Sequence, residues 1–112
     1  DLIILNPRRE NFPIDDPSAG WEQVSWEQRH MHLDNVHTMF WFPESDRSVT
    51  TQPIALFELG QALGEGRSFT VGAHQKYPRF ADVEMMLRLN CPDHTLHRTL
   101  ADTVSTAVGR AW

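Results

Sequence analysis

Cysteine is almost absent from this chain. Cys91 is the only one, so no intrachain disulfide can form and a zinc site built on cysteines is excluded. A reducing, cytoplasmic setting is the expectation that follows. Basic clusters are missing too: no Lys/Arg run is longer than Arg8-Arg9, and the formal net charge is −5. A duplex-binding surface needs a basic face to displace counterions from phosphate, so a nucleic acid polymer is not an expected partner. No apolar run approaches the roughly 20 residues that span a bilayer. The opening Asp-Leu-Ile-Ile-Leu carries no signal-peptide pattern, and no membrane partner is expected. Gly-x-Gly-x-x-Gly, a Walker loop and Gly-x-Ser-x-Gly are all missing, so dinucleotide, P-loop and serine-hydrolase readings lack their motifs. No cofactor is expected.

What is present is the composition of a folded domain. Hydrophobic residues make up 40% and charged residues 22% of the 112 positions, which argues against disorder and for a single domain over residues 1–112. Leu2–Leu5 is a short apolar run with β-branched centre, which predicts a strand buried on both faces. Residues 6–20 hold three prolines and two consecutive aspartates and read as a long loop. A helix is expected from about Trp21 to Asn35, with Trp21, Val24 and Met31 along one apolar edge. Residues 36–42, rich in β-branched and aromatic side chains, predict a central strand that stops at Pro43.

Pro53 sits where a helix would begin, with Thr51 as its expected cap, and Gly64 and Gly66 end it. Residues 68–71 predict a third strand closed by Gly72. Residues 82–89 fit a strand or a helix; Val83, Met85 and Leu87 alternate, which favours the strand. Pro92-Asp93 opens a last expected helix through Leu96, Leu100, Val104 and Val108. Strands and helices in alternation mean parallel strands joined by crossovers, hence an open α/β sheet, whose ligands bind beyond the carboxyl ends of the strands.

Glu58 is the first candidate for chemistry. The helix around it carries Ile54, Ala55, Leu56, Phe57, Leu59, Ala62 and Leu63, and only Glu58 and Gln61 are polar inside it. A helix apolar on almost every side is expected to be buried on almost every side. A carboxylate there survives because it is paired or because it works. Ala55 and Ala62, at spacings of three and four residues, leave room beside it. An arginine partner or a path to solvent explains Glu58 equally well. Glu27, beside Trp26, is the second carboxylate. Two carboxylates held at different pKa values let one act as nucleophile while the other moves a proton; alone, Glu27 reads as a solvated helix residue. Glu27, His30 and Asp34 share a helix face and could touch one cation. His32 points away from it and no second half-site exists, so surface histidines are the favoured account and no metal site is assigned.

Six segments in order carry a resemblance: Asn6-Pro7-Arg8-Arg9, Trp26-Glu27, Phe40-Trp41-Phe42-Pro43, Glu58-Leu59-Gly60, Val71-Gly72, and Tyr77-Pro78-Arg79 with Asp82-Val83. Over residues 2–89 the chain resembles the nucleoside 2-deoxyribosyltransferase-like family. The resemblance implies a flavodoxin-like or Rossmann-like open parallel sheet flanked by helices, and double displacement at an anomeric carbon. It puts the nucleophile at Glu58 and the second acidic residue at Glu27, where the family usually has aspartate. Asn6, Arg8, Trp41, Pro43, Gln52, Arg79 and Asp82 become the expected substrate-binding residues. The family also places a strand and a Gly-Pro-type loop before the Asn-Pro-Arg-Arg segment. This chain has neither, so the first strand is expected to be missing or borrowed from a partner. Many members hold the base with an acidic residue just before the nucleophile; residues 48–52 here contain none, and only the amide of Gln52 remains.

The implied activity is cleavage or exchange of a nucleoside N-glycosidic bond, as hydrolase or transferase, by a homo-oligomer. Arg8, Arg9 and Arg79 lie in expected loops and leave room for a phosphate on the substrate; surface solubility or pairing with Asp15, Asp16 or Asp82 accounts for them as well. A nucleoside- or nucleotide-binding module without turnover is the alternative. An interaction domain using its Trp-rich loops is a third.

Overall fold

A computed structural model describes residues 3–5 and 17–111. The chain divides into two compact units, Asp1–Val36 and His37–Trp112.

In the first unit the helix α1 runs from Pro17 to Met31. It starts four residues ahead of the expected Trp21, because proline at a first helical position costs nothing there. Residues 6–16 of the expected loop lie outside the described residues. Arg29 and His30 close the helix, where positive charge suits the carbonyl end. Gln23 Nε2 donates to Glu27 Oε1 at 3.0 Å, one turn on. His30 stacks on Trp26 at 4.0 Å between ring centres, and its Nδ1 donates to the Trp26 carbonyl at 2.7 Å. The expected apolar edge is not covered: Trp21 and Val24 are exposed. The strand expected at Leu2–Leu5 is not formed in its described part. Residues 3–5 have no strand pairing, and Ile3 and Ile4 are exposed. An apolar run becomes a strand only when another strand takes its N–H and C=O groups.

The second unit is the α/β body: β1 (Thr38–Phe42), α2 (Pro53–Gly64), β2 (Phe69–Ala73), α3 (Phe80–Asn90), β3 (Leu96–His97) and α4 (Leu100–Ala111). The strands form one sheet in the order β1-β2-β3, and both pairings are parallel. The register sets Phe40 beside Val71 and Phe42 beside Ala73. Because side chains alternate along a strand, Phe40, Phe42, Phe69, Val71 and Ala73 line one face. Phe40 meets Phe69 edge-on at 6.3 Å, and Phe42 stacks on Tyr77 at 4.9 Å. Leu59, Ala62, Val83 and Leu87 add the buried residues of α2 and α3. Phe42 and Val71 have no exposure, and each such side chain contributes about 1.5–3 kcal/mol over leaving it in water.

The other face belongs to α4, which packs on all three strands. It turns Thr103 and Ala107 to the sheet, while Leu100, Val104 and Val108 of the expected stripe stay partly exposed. Gly72 is the reason. A Cβ there would lie 1.9 Å from Thr103 Oγ1, so helix and strand meet closer than a side chain permits. Gly72 thus sits inside β2 and does not close it as expected.

Three further expectations are corrected. Residues 82–89 are helical, within α3, which buries Val83 and Leu87 and exposes Met85, Met86 and Leu89. Asp82 in its first turn and Arg88 in its last suit the helix dipole. The last helix starts at Leu100 instead of Pro92. His94 N–H donates to the Cys91 carbonyl at 2.9 Å, making a turn, and Leu96–His97 pairs with β2. Finally, α2 is not buried on every side. It lies as an outer layer with Ile54 and Phe57 exposed.

Candidate functional site

The carboxyl ends of β1 and β2 bring two loops together. The loop after β1 opens with Ser45 Oγ donating to the Pro43 carbonyl at 2.8 Å. Asp46 then organises a turn, accepting from the N–H and hydroxyl of Ser48 at 2.9 and 2.8 Å. Those two bonds hold its carboxyl below the ordinary aspartate range. Gln52 N–H donates to Thr50 Oγ1 at 3.0 Å, and Gln52 itself is bent into the left-handed region at φ 54. Among the described residues no other non-glycine has a positive φ. Such a bend costs on the order of 1–3 kcal/mol and recurs where a chain must present itself to a ligand. Gln52, with no side-chain cap bond, takes the capping position expected for Thr51, and Pro53 follows it into α2.

The loop after β2 is fastened to the first. His74 N–H donates to the Phe42 carbonyl at 2.8 Å. Tyr77, buried against Phe42, donates its hydroxyl to the Thr51 carbonyl. Burial raises the Tyr77 phenol above its ordinary 10.0. Arg47 reaches the Pro78 carbonyl at 3.5 Å, and Lys76 faces Glu44 at 4.0 Å. The two loops and the amino terminus of α2 therefore form one fixed rim.

Glu58 lies on α2, one and a half turns in from that rim, and is half-buried. Gln61, one turn further, has a buried amide oxygen without a hydrogen-bond partner among the described residues. A buried acceptor left unmade costs about 1–3 kcal/mol, which a ligand donor would recover. Helical neighbours three apart share a side of the helix, so Glu58 and Gln61 present an acid and an unmet acceptor together.

The remaining expected site residues are distributed as follows. Pro43 and Gln52 sit on the rim. Arg79 caps α3 and forms an exposed ion pair with Asp82 at 3.1 Å, so this arginine is already engaged. Trp41 is half-buried on the α4 face of the sheet, its ring edge 3.0 Å from where a Cβ on Gly72 would stand. Glu27 belongs to the first unit, on α1, bonded to Gln23. Asn6 and Arg8 lie outside the described residues. Among the described residues no group of three or more His, Cys, Asp or Glu is arranged to hold a metal ion, and no helix is long and apolar enough to cross a membrane.

A second cluster at the opposite end of the sheet was not legible from the sequence. His37, just ahead of β1, bonds Ser68 Oγ through Nδ1 at 2.5 Å and Thr70 Oγ1 through Nε2 at 2.6 Å. The partners are more than thirty positions away, and only the parallel register joins them; no spacing rule signals such a contact. No family model matches the chain, and no curated protein or solved structure matches it.

Proposed function

We propose that the chain cleaves or exchanges the N-glycosidic bond of a nucleoside or nucleotide, as a deoxyribosyltransferase or nucleoside hydrolase, with Glu58 as nucleophile. The observation that carries this reading is the juxtaposition on α2 of half-buried Glu58 with the amide oxygen of Gln61, buried and without a hydrogen-bond partner among the described residues. The strained Gln52 and the locked rim support it, since ligands of open parallel sheets enter at the carboxyl ends of the strands. A flavodoxin-like or Rossmann-like ancestry accords with three parallel strands joined through α2 and α3.

The chemistry proceeds in two displacements. The Glu58 carboxylate attacks the anomeric carbon, the carbon–nitrogen bond breaks, and the base departs with the electron pair and takes a proton. The product is a glycosyl ester on Glu58. Water, or a second base, then attacks the same carbon and frees the carboxylate. Gln61 offers its oxygen to a sugar hydroxyl or an amino group, and Gln52 offers an amide to the base. Glu27 stays the second acidic residue that the resemblance implies, and it belongs to the first unit. Homo-oligomerisation would cover Phe57, which is 72% exposed on α2.

One observation favours the alternative, a nucleoside- or nucleotide-binding module without turnover: residues 48–52 offer no carboxylate to hold a base. Intact-mass measurement of the protein with 2′-deoxynucleosides separates the two. A glycosyl adduct on Glu58 that Glu58→Gln abolishes supports the enzyme; saturable binding without adduct or free base supports the module.

A further inference from the structure

Three side chains meet at the amino-terminal edge of the sheet, at the far end of the strands from the rim. Ser68, immediately before β2, is exposed; His37, immediately before β1, is half-buried; Thr70, inside β2, is 4% exposed. The backbone fixes their spacing, because Thr38 N–H donates to the Ser68 carbonyl at 3.3 Å and Thr38 pairs with Phe69. The imidazole bridges the two hydroxyls, one on each ring nitrogen. We propose that Ser68, His37 and Thr70 form a nucleophilic serine centre that accepts acyl groups from small activated esters.

The roles belong to one tautomer of His37, the one protonated on Nε2. With Nδ1 bare, the Ser68 hydroxyl donates to it, while Nε2–H donates to Thr70 Oγ1 and is held in place by the buried strand. Nucleophile, base and orienting group then stand in the sequence that activates a hydroxyl, an arrangement recognised by geometry and independent of any motif. The ring stays uncharged where a base is needed: burial lowers its pKa, and the charges of Arg110 and His94 lower it further. Arg110 comes from the last turn of α4 and His94 from the turn before β3, stacked on Phe69 at 4.3 Å. Ser68 Oγ attacks the ester carbonyl carbon and its proton passes to His37 Nδ1. The carbon–oxygen bond to the alcohol breaks, and the alcohol takes the proton from His37. Water, deprotonated in turn by His37, releases the acid and restores Ser68.

The test uses the full chain with p-nitrophenyl acetate and, separately, a fluorophosphonate probe. The wild-type protein is expected to gain one acetyl or phosphonyl group on Ser68, located by peptide mass spectrometry. Ser68→Ala removes that label, and His37→Gln slows it about a hundredfold or more, the lower end of a general base's contribution. Circular dichroism establishes that the variants are folded. On the unaltered protein, the labelling rate should fall with acid at a midpoint below 6.5, the ordinary histidine value. No label on Ser68, a label as fast in folded His37→Gln as in wild type, or a rate with no such acid midpoint overturns the proposal.

Discussion

Gly72 lets Thr103 of α4 seat against β2 closer than any side chain at residue 72 would allow. The hydroxyl of Thr103 occupies the place where a side chain on residue 72 would begin, at 1.9 Å, and its Cβ stands at 3.0 Å. Thr103 is fully buried there and donates its own hydroxyl to the Thr99 carbonyl at 2.7 Å. The obstacle is therefore a fixed group on a packed helix. Gly72→Ala should cost about 3 kcal/mol, the upper part of the range for overpacking. In a Thr103→Ala background the oxygen is gone, and the same substitution should cost measurably less. Urea unfolding of the four proteins in this double-mutant cycle measures the coupling. Equal costs in both backgrounds would remove Thr103 as the cause.

Phe42 anchors the opposite face of the sheet. It is completely buried and stacked on Tyr77. Phe42→Ala should destabilise the chain by about 3–5 kcal/mol, a large part of what a domain of this size holds in reserve. Thermal unfolding followed by far-ultraviolet circular dichroism checks this.

Tyr77 ties the two rim loops through its hydroxyl. Tyr77→Phe keeps the stack on Phe42 but loses the bond to Thr51, and should cost about 1 kcal/mol. The titration gives a second signature. The folded protein holds the phenol above 10.0, so this contribution is complete below pH 10 and is lost as pH rises through the folded value. Stability measured across the alkaline range should fall in wild type, and the Tyr77→Phe variant should lack that part of the fall.

His37 works in the opposite sense. Its folded pKa lies below 6.5, so the unfolded chain binds a proton more readily. Its contribution is present above pH 6.5 and is lost as pH falls through the folded value. The group is only partly buried, so the effect is small. Chemical denaturation at pH 7.5 and pH 5 should show a smaller acid loss in His37→Gln than in wild type.

Some elements were readable because local and global signals agree. Pro53 and the glycines after Leu63 bracket α2, and the aromatic run before Pro43 marks β1. The helix α3 was misread for a reason in the periods themselves. Val83 and Leu87 are four apart, which is two strand repeats and also about one helical turn, and both are buried. Leu96 falls four before Leu100 and so joins a helical stripe by coincidence, although it pairs with Val71 in β3. The close seat of Thr103 on Gly72 also hides from periodicity, because the helix presents its small residues to the strand. Of the candidate site, the residue types in α2 were legible, whereas the bend at Gln52 and the Tyr77–Thr51 tie depend on how two distant loops meet.

The most direct test of the central claim is release of base. The full chain is incubated with ribo- and 2′-deoxynucleosides and their monophosphates, with a second base added in parallel, and products are separated by chromatography. Wild type should yield free base or exchanged nucleoside, and folded Glu58→Gln should lose roughly a thousandfold or more, as for removal of a covalent nucleophile. No product from any substrate, or product undiminished in Glu58→Gln, would contradict the claim.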